Sequence, residues 1–455
     1  MGRTFRCRSR KKCRPVNLSS DPSFVQLTRW MSKNGWSQLC SLRLAKFVDT
    51  GRGLMALNNV SKGDVIVSIP KHLLITTATV STSSFGQILS SCKGAKNCNF
   101  LCQELLVWFL VWERHLGNDS SWSEYVSTLP SSFSTPITLD ECHFNSFPWF
   151  LQEQAAGMLE LVQNCFSHLM AMIDSIRCSH CQQLAADIFK WDDFLWGWCC
   201  VNTRAVFIEP ESVPSHSIPI KDRNCLALAP YLDMFNHSDN AKVKVGLNIS
   251  NGCYEITTLQ PFSKFKEVFI NYGPHSNSKL FLEYGFILPS TIHDIVPLKF
   301  SHLIDAFKLV GKRIEYEYEK TKFCQNHELI TQLYVSRSGL SWNCLTLLKI
   351  LLSNCHQTKT WEQISFMGDK SSSGDIDFEK AKRATLEILE KDIINSQNLV
   401  FGKCSGACCT AVNNCNGTLN LFLALLKNFR SIIKISKGVV RRVSFFDLSS
   451  CDNIC

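Results

Sequence analysis

The sequence predicts an α+β protein, in which a β domain is split by a helical insertion and followed by a helical domain. Residues 42 to 70 alternate between apolar and polar positions with glycine-containing turns, which is typical of strands, and similar patterns return from 226 to 272. Between about 95 and 200, apolar residues recur at helical spacing instead. Helical spacing appears again after Pro289.

The individual elements follow from the same periodicities. Residues 22 to 35 predict a short amphipathic helix, Lys62-Gly63-Asp64 predicts a turn between two strands, and residues 278 to 286 predict a short helix or turn. The longer predicted helices are 101–115, 151–175, 186–202, 300–322, 342–354 and 376–392. The later predicted strands are 226–235, 241–249, 254–260 and 267–273.

These elements divide the chain into successive parts. We expect a basic disordered tail at 1–21 and a β domain at 22–289 that contains the insertion at about 95–200. An all-α domain is expected at 290–400. Residues 401–455 are rich in cysteine and basic side chains, and we assign them no role.

Composition excludes several classes of protein. The chain has 455 residues, 45% of them hydrophobic and 19% charged, which argues against a disordered protein. The apolar run LLVWFLVW at 105–112 is too short to cross a bilayer, so we expect no membrane contact. The basic N-terminus has no apolar stretch behind it and is not a secretory signal. We therefore expect a reducing compartment, in which most of the 23 cysteines are free thiols.

Cysteine spacing predicts no bound metal. One CxxC pair and one later cluster stand out, but neither forms two pairs at zinc-finger or zinc-ribbon spacing. The residues concerned are Cys178 and Cys181, then Cys404, Cys408, Cys409 and Cys415.

The net charge of +9 is concentrated at the two ends of the chain. Residues 1–14 carry seven Arg and Lys and no acid, and residues 401–446 carry seven more and no acid. The N-terminal run is typical of a nuclear import signal or a weak nucleic-acid contact, and equally of a solvated tail. It leads us to expect both nuclear and cytoplasmic localisation.

Four segments that lie far apart in the chain carry candidate site residues. Gly51 and Gly53 in TGRGLMA fit either a hairpin turn or a close backbone approach to a ligand. Arg204 in NTRAVFI needs an acidic partner or a ligand. Asn-His-Ser at 236–238, in YLDMFNHSDN, fits a turn or a ligand contact. The tyrosines of INYGPHSNSKLFLEYGF fit either an aromatic core or a functional site.

Taken in order, these segments resemble a SET domain, in the split form with a helical C-terminal domain found in the Rubisco lysine methyltransferase family. SWSEYVSTLP at 121–130 and FNHSDNAKV strengthen the resemblance, which covers roughly residues 22–390. Asp239 stands where many histone-type SET domains have a cysteine, and no post-SET cysteine trio follows Tyr272. Both departures agree with the Rubisco-type branch.

The resemblance implies that the chain binds S-adenosylmethionine. Gly53 and Leu54 would offer backbone atoms to the methionine end of this cofactor, and Arg204 would lie near its carboxylate. Asn236 and His237 would meet its amino group and adenine, largely through the side-chain amide and backbone atoms.

Three aromatic residues complete the implied site. Tyr272 would be the catalytic residue, with its hydroxyl directed at the transferred methyl group. Tyr284 would line the channel of the substrate lysine, and Phe286 would pack on the adenine.

The implied activity is methylation of lysine in a protein substrate, and we expect histone H3 and H4 tails. Two alternatives stay open: methylation of lysine or histidine in non-histone cytosolic proteins, and a catalytically silent binding module with the same fold. The body of the chain, residues 15–400, is close to neutral and does not repel a basic peptide.

Overall fold

The computed structural model describes residues 15–92, 99–139, 144–145, 147–173, 177–354, 356, 358–367, 376–404 and 412–449. The chain forms two compact units. The first comprises the chain up to Phe133 together with Met158–Pro274, and the second comprises Ser134–Gly157 together with the chain from His275 onward. The expected boundary at 289/290 therefore differs from the one in the structure, and part of the predicted insertion belongs to the second unit.

The first unit contains short strands in several small sheets. These strands are β1 (Val16–Asn17), β2 (Leu42–Phe47), β3 (Gly51–Ala56), β4 (Val65–Pro70), β5 (Ala205–Phe207), β6 (Leu226–Leu228), β7 (Asn236–His237), β8 (Val243–Asn248), β9 (Cys253–Thr258) and β10 (Phe269–Ile270). Three sheets are antiparallel, with strand orders β1-β2-β3, β4-β9-β8 and β5-β6, whereas β7 and β10 pair in parallel.

The helices up to residue 204 are α1 (Pro22–Lys33), α2 (Thr77–Thr82), α3 (Ser84–Ser91), α4 (Cys102–Leu116), α5 (Ser123–Val126), α6 (Trp149–Ile173), α7 (Ala185–Ile188) and α8 (Trp191–Arg204). Of α6, residues 149–157 belong to the second unit and residues 158–173 to the first. The helices α4 and α8 of the predicted insertion contact each other through large apolar side chains. Trp108 of α4 is buried, and its ring centroid lies 4.3 Å from that of Phe194 in α8. The predicted helices at 22–35, 101–115 and 151–175 are confirmed within a few residues, whereas the one predicted at 186–202 is divided into α7 and α8.

The start of α1 illustrates why the sequence folds as predicted. Asp21 caps the helix by accepting hydrogen bonds from the backbone amides of Ser23 at 3.0 Å and Phe24 at 3.4 Å. Pro22 occupies the first helical turn, where no backbone N–H is needed. Phe24, Leu27 and Met31 are spaced along one face, and that face is buried.

The β2–β3 hairpin confirms the predicted strands around the glycine pair. Its ladder runs from Leu42 opposite Ala56 to Phe47 opposite Gly51. Gly51 has a φ of +74°, a left-handed conformation that favours glycine, so it is a turn residue. Gly53 lies two residues further on, inside β3, where it has a different role described below.

The predicted strand at 226–235 is wrong beyond Leu228. Pro230 has no N–H to donate to a ladder, and Tyr231 adopts a left-handed φ of +71°. A 3₁₀ turn at Leu232–Met234 follows, and β7 begins at Asn236. The predicted strand at 267–273 is likewise reduced to the two residues of β10.

The second unit is mainly helical, as predicted. Its elements are α9 (Asn277–Lys279), a π-helical turn (Leu280–Tyr284), β11 (Val296–Pro297), α10 (Phe300–Leu309), α11 (Glu317–Asn326), β12 (Tyr334–Ser336), β13 (Gly339–Leu340), α12 (Trp342–Leu352), α13 (Thr358–Met367), α14 (Ile376–Cys404) and α15 (Val412–Ser449). The small antiparallel sheet β11-β12-β13 was not predicted.

The chain after residue 400, to which the sequence assigned no role, contributes to the core of this unit. Within α15, Phe422, Leu425 and Phe429 are fully buried in the same hydrophobic cluster as residues of α10, α12 and α14. Asn428 in the same helix donates a hydrogen bond to the buried carboxylate of Asp294 at 2.6 Å.

Two further expectations concern the ends of the chain and the membrane. Residues 1–14, which carry the N-terminal basic run, lie outside the described residues. Val16 and Asn17 pair with β2, so the end of the expected disordered tail is instead ordered. Among the described helices, none is long and apolar enough to cross a membrane.

Candidate active site

The parallel pairing of β7 with β10 brings two distant segments together in the first unit. Phe269 lies opposite Asn236 and Ile270 lies opposite His237. The chain leaves β10 toward Tyr272, so this tyrosine lies beside the Asn-His pair. The backbone N–H of Tyr272 donates a hydrogen bond to His237 Nδ1 at 3.1 Å, and the two rings are 5.1 Å apart.

His237 is fully enclosed, and its hydrogen bonds fix its tautomer. Nδ1 accepts from the Tyr272 amide and so carries no proton there, whereas Nε2 lies 3.1 Å from Asp239 Oδ1 and donates to it. The side chain has no exposed surface. His237 therefore positions Tyr272, and a contact between His237 and a ligand would come from its backbone, as the resemblance implies.

The hydroxyl of Tyr272 is also fixed. It donates a hydrogen bond to the carbonyl oxygen of Phe235 at 2.6 Å. Because the phenol uses its proton in this bond, it is suited to orient a neighbouring group and to accept from it. It is poorly suited to act as a general base.

Asn236 lies over the backbone of β3. Its Nδ2 donates to the carbonyl of Arg52 at 2.8 Å and to Glu267 Oε1 at 2.7 Å. Both neighbours are acceptors, which fixes the orientation of the amide. A β-carbon at Gly53 would lie 2.4 Å from Glu267 Oε1 and 2.7 Å from Asn236 Nδ2. A side chain at position 53 would therefore displace the Asn236 amide and the Glu267 carboxylate from their present positions.

Glu267 is a site residue that the sequence did not reveal. It is half-buried, and it also accepts a hydrogen bond from the hydroxyl of Thr50. Burial raises the pKa of Glu267, and the hydrogen bonds from Asn236 and Thr50 partly offset that effect. Within the described part of the chain, no basic side chain lies within 4.0 Å of this carboxylate. A half-buried carboxylate that has hydrogen bonds but no basic partner can hold a cation.

Arg204 has the acidic partner that the sequence left open. Arg204 Nη1 donates to the carbonyl of Asp233 at 3.0 Å and to Asp233 Oδ2 at 3.2 Å. The hydroxyl of Tyr125 donates to the same carboxylate oxygen at 3.1 Å. Burial raises the pKa of Asp233 despite the charge of Arg204. Among the described residues, the buried Arg204 Nε and Asp233 Oδ1 have no hydrogen-bond partner.

A second arginine acts on the same region. The pKa of Arg52 is lowered first by its partial burial and then by the charge of Arg204. The carboxylates of Asp233 and Asp21 partly offset these effects, so two guanidinium groups and two carboxylates lie in this region. Arg204 Nε, which has no partner among the described residues, can donate to an anion, while the Asn236–Glu267 side favours a cation. The arrangement can hold a zwitterion such as the end of an amino acid.

The remaining predicted residues differ in what the structure says about them. Leu54 is buried in β3, and its carbonyl accepts from the Val268 amide at 2.8 Å, so its backbone contact with a ligand stays a prediction. Tyr284 and Phe286 belong to the second unit, with their rings 6.1 Å apart. Gly285 between them is left-handed, and a β-carbon there would lie 2.8 Å from the backbone of Ser134. The roles of Tyr284 and Phe286 also stay predictions.

Comparison with known proteins identifies the fold. A model of the SET domain matches residues 51–273, the part of the chain that contains Gly53, Arg204, Asn236 and Tyr272. SET domain-containing protein 4 of Homo sapiens is 32% identical over 420 residues, which cover 89% of each chain. Actin-histidine N-methyltransferase of Homo sapiens is 27% identical over 307 residues, which cover 65% of this chain and 48% of that protein.

Solved structures show the same fold at lower identity. The SET domain of LSMT bound to lysine and AdoHcy has a TM-score of 0.58 at 18% identity, over 94% of this chain and 92% of that one. Rubisco LSMT bound to sinefungin and monomethyllysine has a TM-score of 0.60 at 18% identity, over 93% of each chain.

The fold and the sequence together define a SET-domain protein. The chain belongs to the SET-domain methyltransferase family, and it is similar over nearly its whole length to SET domain-containing protein 4. The resemblance inferred from the order of the motifs is confirmed.

Proposed function

We propose that the protein transfers a methyl group from S-adenosylmethionine to a lysine side chain of another protein. One observation carries the proposal: the β7–β10 pairing holds Asn236 and Tyr272 side by side, with His237 fixing the tyrosine. These are residues that the family resemblance assigns to the cofactor and to catalysis.

The charges of the site fit this cofactor. S-adenosylmethionine ends in an amino acid with an ammonium and a carboxylate, and the site offers a separate place for each. Asn236 Oδ1 and the Glu267 carboxylate suit the ammonium, while Arg204 Nε suits the carboxylate. Gly53 keeps the Asn236–Glu267 pair in place.

When bound, the cofactor supplies an activated methyl group on a positively charged sulfur. An acceptor lysine must be neutral, and at pH 7 a free lysine with a pKa of about 10.4 is neutral roughly once in a few thousand molecules. This costs about 4.6 kcal/mol, which burial and a nearby positive charge reduce by lowering the lysine pKa. No side-chain base is then needed, and Tyr272 orients the amine through its fixed hydroxyl.

Histidine is the second candidate acceptor. It is favoured by the 27% identity to a protein named actin-histidine N-methyltransferase. A histidine side chain is present in its neutral form more readily than a lysine side chain, so the same arrangement of Tyr272 and Asn236 would serve it.

For the protein substrate we propose the tails of histones H3 and H4, with non-histone cytosolic proteins next. The support is charge: residues 15–400 are near neutral, and the basic run at 1–14 is suited to nuclear entry or to contact with nucleosomal DNA. Localisation in nucleus and cytoplasm is part of this proposal.

The test is a side-by-side labelling assay with radiolabelled S-adenosylmethionine. Free H3, free H4, nucleosomes, actin and a cytosolic lysate are each incubated with the full chain and with a chain lacking residues 1–14. Mass spectrometry then identifies the methylated residue. We expect labelled lysine on H3 or H4. Labelled histidine would replace lysine as the acceptor, and labelling confined to non-histone proteins would refute the histone proposal. A total absence of labelling would refute methyl transfer and favour the alternative of a catalytically silent binding module.

A further inference from the structure

Three metal-ligating side chains meet in the first unit, away from the site described above. His115 lies in the last turn of α4, and Cys178 and Cys181 lie in the chain between α6 and α7. Their ligand atoms all lie within 4.8 Å of one another. Cys181 Sγ is 3.4 Å from His115 Nε2.

This spacing fits one shared ion. In a tetrahedral zinc site with Zn–S of about 2.3 Å and Zn–N of about 2.0 Å, sulfur and nitrogen ligands lie about 3.5 Å apart. The measured separation of 3.4 Å between Cys181 and His115 agrees with that value. Two thiolates and an imidazole form a donor set that favours zinc over magnesium or calcium, which prefer oxygen.

The backbone around the two cysteines forms a closed turn. Arg177 and Leu184 form an antiparallel bridge across it. Within the turn, the Cys178 amide donates to the Gln183 carbonyl at 2.8 Å, and the Gln182 amide donates to the Cys178 carbonyl at 2.9 Å. Gln182 has a left-handed φ of +62°. The two sulfur atoms are therefore brought to one side by the fold of the turn itself.

The surroundings favour a positive ion. The C-terminal end of a helix carries partial negative charge, and His115 lies at the C-terminal end of α4. Asp119, just beyond that end, lies 3.1 Å from His180, which adjoins Cys181 in the chain. Cys178 is fully buried, whereas Cys181 is exposed, so an ion has a route of entry.

We propose that His115, Cys178 and Cys181 bind one zinc ion, with water in the fourth position. Binding forms two Zn–S bonds and one Zn–N bond, and the two thiol protons pass to solvent. The ion would fasten the chain between α6 and α7 to the end of α4. This proposal reverses the expectation of no metal, which was based on cysteine spacing alone. The sequence does not show that His115 lies beside a CxxC pair that begins 63 residues later.

The test compares zinc content in the full chain and in single variants. Purified protein is loaded with zinc sulfate and separated from unbound ion by gel filtration. The zinc content per chain is then measured by elemental mass spectrometry. We expect Cys181→Ser to hold about one zinc less per chain than the parent. Because Cys181 is exposed, this substitution leaves the core unchanged. Cys253→Ser, at a half-buried cysteine in β9, is the matched control and should bind as much zinc as the parent.

A second measurement identifies the ligands directly. Cobalt replaces zinc, and the thiolate-to-metal absorption band is compared between the parent, Cys181→Ser and His115→Ala. We expect the band to weaken in Cys181→Ser, and the cobalt affinity to fall at least tenfold in His115→Ala. Equal zinc content in the parent and Cys181→Ser would overturn the proposal. So would a disulfide between Cys178 and Cys181 in the freshly purified protein, which would make the pair a redox site instead.

Discussion

At Gly53, a hydrogen bond between two other side chains determines the residue type. A β-carbon at this position would come too close to both atoms of the hydrogen bond from Asn236 Nδ2 to Glu267 Oε1 in its present place. The glycine therefore serves the site through the groups that it allows to approach each other. Its neighbour Gly51 is needed for a different reason, namely its left-handed backbone.

The first prediction concerns Asn236. Replacing Asn236 with Ala should weaken S-adenosylmethionine binding by about 1–3 kcal/mol, because it removes an amide oxygen that would pair with the ammonium and one of the two side chains that hold Glu267. Calorimetry measures the change. The matched control is Asn251→Ala, which removes an exposed amide that also donates to a glutamate. Equal affinities of the parent and Asn236→Ala would show that the site is misplaced.

The second prediction concerns the pH dependence of cofactor binding. Burial raises the pKa of Glu267, and only the ionised carboxylate attracts a cation. Affinity should therefore be full above the raised pKa and should fall as the pH is lowered through it, and this fall should begin at a higher pH than for an ordinary glutamate. Glu267→Gln should weaken binding at pH 7 and flatten this part of the profile.

Glu255→Gln provides the control for that experiment. Glu255 is half-buried in β9, and the hydrogen bonds of Asn248, Asn251 and Ser68 hold its pKa below the usual value despite some burial. Its substitution should leave the pH profile unchanged. A profile that keeps its full slope in Glu267→Gln would assign the titration to another group.

At the residue scale, the sequence revealed those site residues that stand out from their neighbours. Asn236 and His237 follow an apolar run, and Arg204 stands in an aromatic one. Glu267 and Asp233 could not be found in this way. Glu267 follows two lysines, and Asp233 lies inside the apolar run that was predicted as a strand. The role of each depends on a partner that only the fold brings near, 31 residues away for Asn236 and Glu267.

At the scale of elements, α15 shows how a segment without a family pattern can be essential to the core. Its buried positions recur at helical spacing, and its exposed face carries basic residues, including Lys427 and Lys434. The sequence shows residues 401–455 as rich in cysteine and basic side chains and offers no reason to join them to the helices before residue 400. That connection depends on packing between elements that are distant in the chain.

The third prediction tests the role of α15. Leu425 is fully buried, so Leu425→Ala should lower the free energy of unfolding by about 2–5 kcal/mol through lost apolar contacts and a residual cavity. Ile435 lies in the same helix but is 40% exposed, and Ile435→Ala should cost much less. Urea denaturation measures both. Similar costs for the two variants would argue against burial of α15 in the core.

Short strands were the elements least predictable from the sequence. The long helices have many periodic positions, so most were predicted well, but the helix predicted at 300–322 is two helices, Phe300–Leu309 and Glu317–Asn326. The two-residue strands β7 and β10 have no periodicity at all, and their pairing depends on contacts between distant segments. The apolar run at 226–235 suggested a continuous strand, but Pro230 and the left-handed Tyr231 end it early.

At the scale of the whole molecule, the sequence predicted the α+β class and the order of a split β domain and a helical domain. The position of the boundary was less accessible. Residues 134–157 continue the helical insertion in sequence, yet Phe147, Phe150 and Leu151 are buried in the core of the second unit. Periodicity identifies such a segment as helical but carries no information about which core it joins.

The measurement that tests the central claim most directly is methyl transfer by Tyr272→Phe under saturating S-adenosylmethionine. We expect turnover to fall at least tenfold, about 1.4 kcal/mol of barrier, while cofactor affinity stays nearly unchanged. Tyr254→Phe is the matched control, because Tyr254 also donates its hydroxyl to a backbone carbonyl at 2.6 Å, that of Phe207. It should turn over at the parent rate. Parent-like turnover in Tyr272→Phe would contradict the account and make Tyr272 a core residue.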